Sequence, residues 1–560
     1  MLRQKPFKNI CRKVKKDFLA LRLWVVYGII LCENGLIWFI APPIKPCASC
    51  LSFCQTATSA PPSVPLGHAS LSLPCILTKI LRNLAQVLIG GVIFQPKAQK
   101  TKEDTQLKRL KKYAVAAFAI VATMALAACV NTASSQGQPA GQGYSTNGNI
   151  DAQEENYTNM PYVNGEFPSL FITSDYHPFE VDRDLWHDAT LSLSGGSDEH
   201  NFEGVDVRLR GRGNSTWVMG PDKRPLRIRF EEPQHFLDSS HAHRDWILLA
   251  NHLDMSLMRN YAAFYLGYLM DNLDSTPFTR FVNLYINGEY VGLYQLTDER
   301  DTGPGRIELA FDEDPALSEF YFELDGHVVG WLADQNYEWE DYFVANERAY
   351  DVRFPSSSAR TQEHMLYMQN FMEAFDAAIY ERDFEALSAL IDIDTAIDFY
   401  IVQEITKDID VSEFSIFMTI RGQGDYRRLH FGPLWDFDRS AGNTFYWNTP
   451  QFIFAGYRNH WFEGFLDMPE MRELIINRWN EVARDNALEM VEHLRHIAGH
   501  YEEAFIRNFE RHNIMEELPP RWENTLPEQV ISIDNWHDQA EFLFDWFDER
   551  IQWLDAYFNS

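Results

Sequence analysis

The sequence predicts an α+β fold of two lobes, the first mostly strand and the second mostly helix. Three observations carry this. Between residues 205 and 324 apolar and polar residues alternate in short runs, the period of a half-buried strand. Beyond Gln362 the apolar residues recur at helical spacing, and one short strand pair interrupts the helices.

The elements follow in order. Val205–Leu209 and Leu226–Phe230 alternate as strands do, and Trp246–Ala250 is a fully apolar strand run. Asp254 is placed to cap a helix over Met255–Leu273. Phe281–Ile286 and Tyr290–Leu296 flank Asn287-Gly288, a strong hairpin signal because both turn positions favour positive φ. Tyr321–Leu324 adds a strand. Helices are predicted over Gln362–Ala377, Phe384–Ile391 and Thr395–Ile405, then a strand pair over Phe414–Ile420 and Arg428–Phe431. Met471–Phe509 and Gln539–Phe558 close the chain with helical periodicity and a Trp/Phe stripe. No internal repeat is present.

Composition divides the chain at Cys129. All seven cysteines lie at or before it, as do only 4 of the 80 acidic residues and 18 of the 49 Lys and Arg. The acidic excess therefore falls wholly downstream. That argues against nucleic acid as a partner and favours cations and basic protein substrates. A cysteine-free fold needs no disulfides, which suits an exported protein. Residues 107–129 read as a lipoprotein signal peptide: Lys108, Arg109, Lys111 and Lys112 precede an apolar run from Tyr113 to Leu126. That run ends in Leu126-Ala-Ala-Cys129, with Cys129 as the expected lipidation site anchoring the protein to the membrane on the extracytoplasmic side. Residues 1–106 are expected to be either upstream of the true start or an N-terminal extension. Cys47, Cys50 and Cys54 lack the second half of a zinc set. Residues 130–156 are a Ser/Gly/Gln/Asn-rich linker, and 157–560 the folded domain.

Three segments bear chemistry. Arg210-Gly-Arg-Gly-Asn-Ser-Thr-Trp217, followed by Lys223-Arg-Pro-Leu-Arg-Ile-Arg229, is a strand, a Gly-containing loop and a basic strand that can fold over phosphates. Arg212, Asn214, Lys223 and Arg224 are its candidate nucleotide contacts. Lys407-Asp-Ile-Asp410 closes a helix, and Gly432-Pro-Leu-Trp-Asp436-Phe-Asp438 follows a strand. An acid loop, a short strand pair and an Asp-Phe at the strand exit form the serial order of a kinase catalytic loop and metal loop. Phosphoryl transfer needs one carboxylate near the attacking hydroxyl and others holding Mg²⁺ on the phosphates. The Asn that ordinary kinases carry five residues after the catalytic-loop Asp is here Ser415, which excludes a standard eukaryotic-type kinase.

Together with Asp254-Met-Ser-Leu-Met-Arg-Asn260, Tyr285-Ile-Asn-Gly-Glu-Tyr-Val-Gly-Leu-Tyr294, Gly432–Asn443 and Trp546–Leu554, these segments resemble the CotH kinase family over about residues 170–558. The resemblance implies a bilobal atypical protein kinase-like fold that moves phosphate from ATP, with Mg²⁺ or Mn²⁺, to Ser or Thr of a secreted or surface protein. It assigns Asp410 and Asp436 as catalytic, Asp436 and Asp438 to the metal, and Lys223 and Arg224 to phosphate. Asp408 stands where the family more often has Asn. Asp298 or Glu299 corresponds to a family glutamate. Two other readings compete: a non-catalytic kinase-like surface module, and a metal-dependent hydrolase using Asp436 and Asp438.

Overall fold

The computed structural model describes residues 167–560 except 176–182, 197–199, 221, 274, 329–339, 447 and 516–525. It also describes an antiparallel backbone pairing of Ile30–Cys32 with Gly35–Ile37. The expected signal peptide 107–129, its Cys129 and the linker 130–156 lie outside the described residues. The described residues from 167 on belong to one compact unit, and the pairing of Ile30–Cys32 with Gly35–Ile37 falls in another.

Seven strands close into a barrel: β1 (Ser169–Ser174), β2 (His187–Ser194), β3 (Phe202–Gly211), β4 (Leu226–Gln234), β5 (His243–Leu249), β6 (Thr279–Ile286) and β7 (Glu289–Asp298). Their order is β1-β2-β3-β4-β5-β7-β6, all antiparallel except for the β1–β6 seam. Alternation builds it: Leu170 and Ile172, Leu191 and Leu193, Val207 and Leu209, Leu226, Ile228 and Phe230 fill the interior around Trp246. Each fully buried apolar side chain of this size contributes about 1.5–3 kcal/mol. The β6–β7 turn has Asn287 at φ 52° and Gly288 at φ 84°, as the Asn-Gly signal requires. Asn287 also bonds the backbone N and O of Ser174 at 3.0 and 2.8 Å, fastening the hairpin to β1.

A second, antiparallel sheet has the order β9-β10-β8-β11-β12: β8 (Phe320–Leu324), β9 (Tyr342–Ala345), β10 (Arg348–Phe354), β11 (Ile416–Arg421) and β12 (Arg428–Phe431). Its apolar residues join the main core with α2 (Arg259–Leu269), α3 (Gln362–Glu381), α4 (Phe384–Leu390), α5 (Ile393–Thr406) and the C-terminal helices. Among the latter are α9 (Arg484–His500), α10 (Glu502–Arg511) and α12 (Trp536–Phe558), counted after the short α1 (Ser215–Met219), α6 (Ala455–Arg458), α7 (His460–Asp467), α8 (Pro469–Arg478) and α11 (Glu528–Ile531).

The α+β class and the β-then-α order hold, with four revisions. The first strands close into a barrel in place of the open β lobe of a kinase. The strand pair among the helices is the edge of a five-stranded sheet. Helix α2 starts at Arg259 rather than Met255, because Asp254 is spent on a turn, accepting from the N–H groups of Ser256 at 2.9 Å and Arg259 at 2.8 Å. The run Met471–Phe509 is likewise broken, by a π-helical stretch at Trp479–Ala483 and again at Tyr501.

Candidate active site

Helix α5 ends where Lys407 takes φ 51°, a left-handed C-cap. The Asp408 carboxylate then accepts from Asp410 N at 3.3 Å and starts one 3₁₀ turn, Ile409–Ser412, which carries Asp410. β11 and β12 run out and back to Trp435-Asp436-Phe437-Asp438. Ala441 N donates to Thr406 O at 2.7 Å, so the two acid loops are tied backbone to backbone. Asp436 sits at φ 68°, a conformation that costs a non-glycine residue energy and persists only where the surroundings impose it.

Those surroundings come from the segment Asp254–Asn260. Buried Arg259 pairs with Asp254 and donates to the carbonyls of Ser440 and Ala441, each at 3.1 Å. Asn260 Oδ1 accepts from Phe437 N at 2.7 Å, and its amide donates to Asn251 Oδ1 at 3.0 Å. Asn251 in turn donates to Gln295 Oε1 at 2.7 Å. This buried amide chain sets the Asp436–Asp438 loop against the barrel. Asn443 donates to Asp438 O at 2.7 Å. Gly442, at φ 80°, leaves room for Trp546, whose ring a Cβ there would meet at 2.8 Å.

Asp410, Asp436 and Asp438 open into a cavity of about 740 Å³ that is also lined by Arg210, Arg212, Asn214, Arg227, Glu299, Arg300, Glu323, Asp325, His327, Ser415 and Trp435. Among the described residues no donor is hydrogen-bonded to the three carboxylates. Burial first, and then Asp436, raise the Asp410 carboxyl to about 6. Burial, Asp436 and Asp410 push Asp438 well up. Asp408 is also pushed well up, by burial and Asp410. Opposite signs meet nearby. The guanidinium groups of Arg212 and Arg300 lie 5.2 and 4.6 Å from the Trp435 ring centre. Burial and Arg300 lower Arg212 to about 10. Glu299 pairs with Arg227 at 3.1 Å and with Arg300 at 3.6 Å. Burial alone would raise its carboxyl, but Arg227, Arg300 and Arg212 outweigh that and hold it at about 2.

Of the predicted residues, Arg212, Asn214, Asp410, Asp436 and Asp438 share this cavity, whereas Lys223 and Arg224 are not in its lining. The loop after β3 closes on itself, Arg212 N donating to Pro225 O at 3.2 Å, and Lys223 turns inward. Lys223 is fully buried with its Nζ 5.1 Å from the Tyr294 ring centre, and burial lowers its pKa well below the usual lysine range. Arg224 lies 4.3 Å over Trp217. The loop glycine has a packing reason, since a Cβ at Gly211 would stand 2.2 Å from the Trp217 ring. Of the two acids left open after β7, Glu299 lines the cavity, while Asp298 faces His241 at 2.8 Å and Arg306 at 2.7 Å. Sequence reasoning missed Arg300, Asn251, Asn260 and the pair His327–Asp325, whose side chains meet at 2.8 Å. The Arg that directly follows the Asp298-Glu299 pair was the available signal for Arg300.

The donor set fits a magnesium nucleotide. Among the described residues no three His, Cys, Asp or Glu side chains are gathered to hold a metal alone. Asp436 and Asp438 would thus supply the protein share and phosphate and water the rest, which is how Mg²⁺ is usually held. The unpaired carboxylates need a cation, and the arginines beside them suit phosphate oxygens.

A family model described as CotH kinase protein matches residues 208–554, which takes in every residue of this cavity except Arg183 and Asp184. Among curated proteins no match to the chain was found.

Proposed function

The chain belongs to the CotH kinase protein family, and from that premise we propose that it transfers phosphate from ATP to Ser or Thr of a protein. One observation carries the reading: three carboxylates without hydrogen-bond donors, Asp438 buried and Asp410 and Asp436 half-buried, stand beside an arginine cluster in one cavity. Bound there, ATP would supply the phosphoryl group, and Mg²⁺ or Mn²⁺ the charge that offsets its phosphates. Asp436 and Asp438 would hold the metal. Arg300, paired with Glu299, and Arg212, both over the Trp435 ring, would contact phosphate oxygens. Asp410 faces the acceptor hydroxyl and takes its proton, a task suited to a carboxyl raised to about 6. Because such transition states are loose, positioning and charge contribute more than base strength. Asp408 shapes the turn that presents Asp410.

The proposed setting is the outer face of a membrane, with a lipid on Cys129 and a secreted or surface protein as substrate. Among the described residues no helix is long and apolar enough to cross a membrane. Ser415 in place of the kinase Asn favours the alternative, a non-catalytic module. Incubating the full chain with γ-labelled ATP and Mg²⁺ or Mn²⁺ decides between them. Metal-dependent label on Ser or Thr, lost in Asp436→Asn, supports transfer. No label on the chain or on co-purified envelope proteins with either metal overturns it.

A further inference from the structure

A second feature lies on the outer face of the barrel beside the cavity. Trp186, half-buried just before β2, is ringed by four guanidinium groups: Arg229 at 4.6 Å, Arg210 at 4.9 Å, Arg208 at 5.5 Å and Arg227 at 5.9 Å from its ring centre. All four project from the outward positions of β3 and β4. Their register sets Arg208 directly opposite Arg229 and Arg210 directly opposite Arg227. Like charges facing each other across a strand pair are destabilising, and here two such pairs stand side by side in a strongly acidic chain.

The local acids pair with only two of the four. Asp245 meets Arg227 at 2.9 Å and Arg229 at 2.7 Å, and Arg227 also meets Glu299 at 3.1 Å and Asp301 at 4.0 Å. Arg208 and Arg210 have no ion pair among the described residues, and Arg210 Nε is buried without a partner. Asp188 opposes Arg208 across β2, and Asp206 and Glu231 lie at the far ends of the same strand face, all three exposed. Arg210 and Arg227 also line the cavity, whereas Arg208, Arg229 and Trp186 do not. The cluster therefore starts at the cavity wall and continues outward, away from the carboxylates that would hold the metal.

We propose that this Trp186–arginine cluster is an acceptor-binding site that takes an anionic segment of the protein substrate, flanking the hydroxyl to be phosphorylated. Carboxylates and phosphoserine share the required chemistry: paired oxygens that a guanidinium fork bonds twice, next to an indole that keeps the arginines ordered. The inference rests on reading the cavity as a phosphoryl-transfer site. It runs against the substrate preference that net charge alone would give, because the local field at the cavity mouth opposes that of the whole domain.

The test is direct binding to the full chain by fluorescence anisotropy, independent of turnover. The probes are labelled peptides with one central Ser flanked by Glu, by phosphoserine, by Gly or by Lys. The Glu and phosphoserine peptides should bind at least ten-fold tighter than the Gly and Lys peptides, and comparison of the two separates carboxylate from phosphate recognition. Arg208→Glu, an exposed change, should cut that binding ten-fold or more, while Arg208→Lys keeps most of it and ATP affinity stays as in the wild type. Equal binding of all peptides, tighter binding of the Lys peptide, or indifference to Arg208→Glu overturns the proposal. So does a ten-fold loss of ATP affinity, which would assign the cluster to the nucleotide. Vesicles of phosphatidylglycerol that bind through Arg208 while the peptides do not would also overturn it, in favour of a membrane contact. Charge-selective, Arg208-dependent binding without any transfer would instead refute the kinase reading and leave the anionic site standing.

Discussion

Glu404 and the cluster Asp410–Asp436–Asp438 are acids shielded from solvent, Glu404 and Asp438 fully and Asp410 and Asp436 in part, yet their surroundings differ. Glu404 accepts from Phe454 N at 2.5 Å, Gly456 N at 3.1 Å and Arg550 Nη2 at 2.5 Å. Arg550 is completed by the carbonyls of Glu404, Pro450 and Phe452. Every charge there has its counter-charge inside the protein, and the result is a rivet between α5 and α12. The three aspartates have no hydrogen-bond donor among the described residues, and burial and then the charge of Asp436 raise the pKa of Asp410 and Asp438. A buried acid that is fully bonded holds the fold, and one that lacks donors marks where something else must bind.

The sharpest way to break this contrast is at the rivet. Removing one partner of a buried pair leaves an uncompensated charge, so Glu404→Ala or Arg550→Ala should destabilise by about 3–5 kcal/mol. A urea midpoint like the wild type's would show that the pair carries no such role. The metal acids should do the reverse. Asp436→Asn or Asp438→Asn relieves repulsion and should leave the melting temperature equal or higher, while transfer falls about 10²–10³-fold, on the order of 3–4 kcal/mol in the barrier. Loss of stability together with activity would place these acids with Glu404.

Glu299 tests the middle case, an acid paired within the site. Its carboxyl is held at about 2, below its ordinary 4.5, so its stabilisation is complete above about pH 4.5 and is lost as the pH falls toward 2. Glu299→Gln should lower stability at pH 7 by about 2–3 kcal/mol and flatten the acid limb of the pH–stability curve. An unchanged acid limb would contradict the pairing. Smaller still, Asp410→Asn should spare nucleotide affinity and lower turnover, and Asp408→Asn, which keeps an oxygen to cap the 3₁₀ turn, should change either by less than about two-fold.

Much of this was legible in the chain. Alternation gave the barrel's central strands, Asn287-Gly288 gave its hairpin, and the order of the acid loops pointed to Asp410, Asp436 and Asp438, which line one cavity. β1 escaped notice because the outward Phe171 makes Leu170–Ile172 a continuous apolar run, whereas β2, also missed, alternates over Ala189–Ser194 and was legible. β9 and β10 escaped because Asp351 and Arg353 look like surface residues, although Asp351 is buried and they pair with each other at 2.8 Å. Of the candidate nucleotide contacts, Arg212 and Asn214 line the cavity and Lys223 and Arg224 do not, for a tertiary reason. The loop before Lys223 curls back, and the other cations of the lining include Arg210 of β3, Arg227 of β4, Arg300 after β7 and Arg353 of β10. Closure of seven strands likewise depends on the parallel β1–β6 pairing, which no local pattern encodes.

The most direct test of the central claim follows the melting temperature of the full chain with a non-hydrolysable ATP analogue, in Mg²⁺ and in chelator. The carboxylates without donors predict that the nucleotide raises the melting temperature only with Mg²⁺, and that Asp436→Asn loses the rise while keeping the wild-type value without ligand. An equal rise in chelator, or an undiminished rise in Asp436→Asn, would contradict the account.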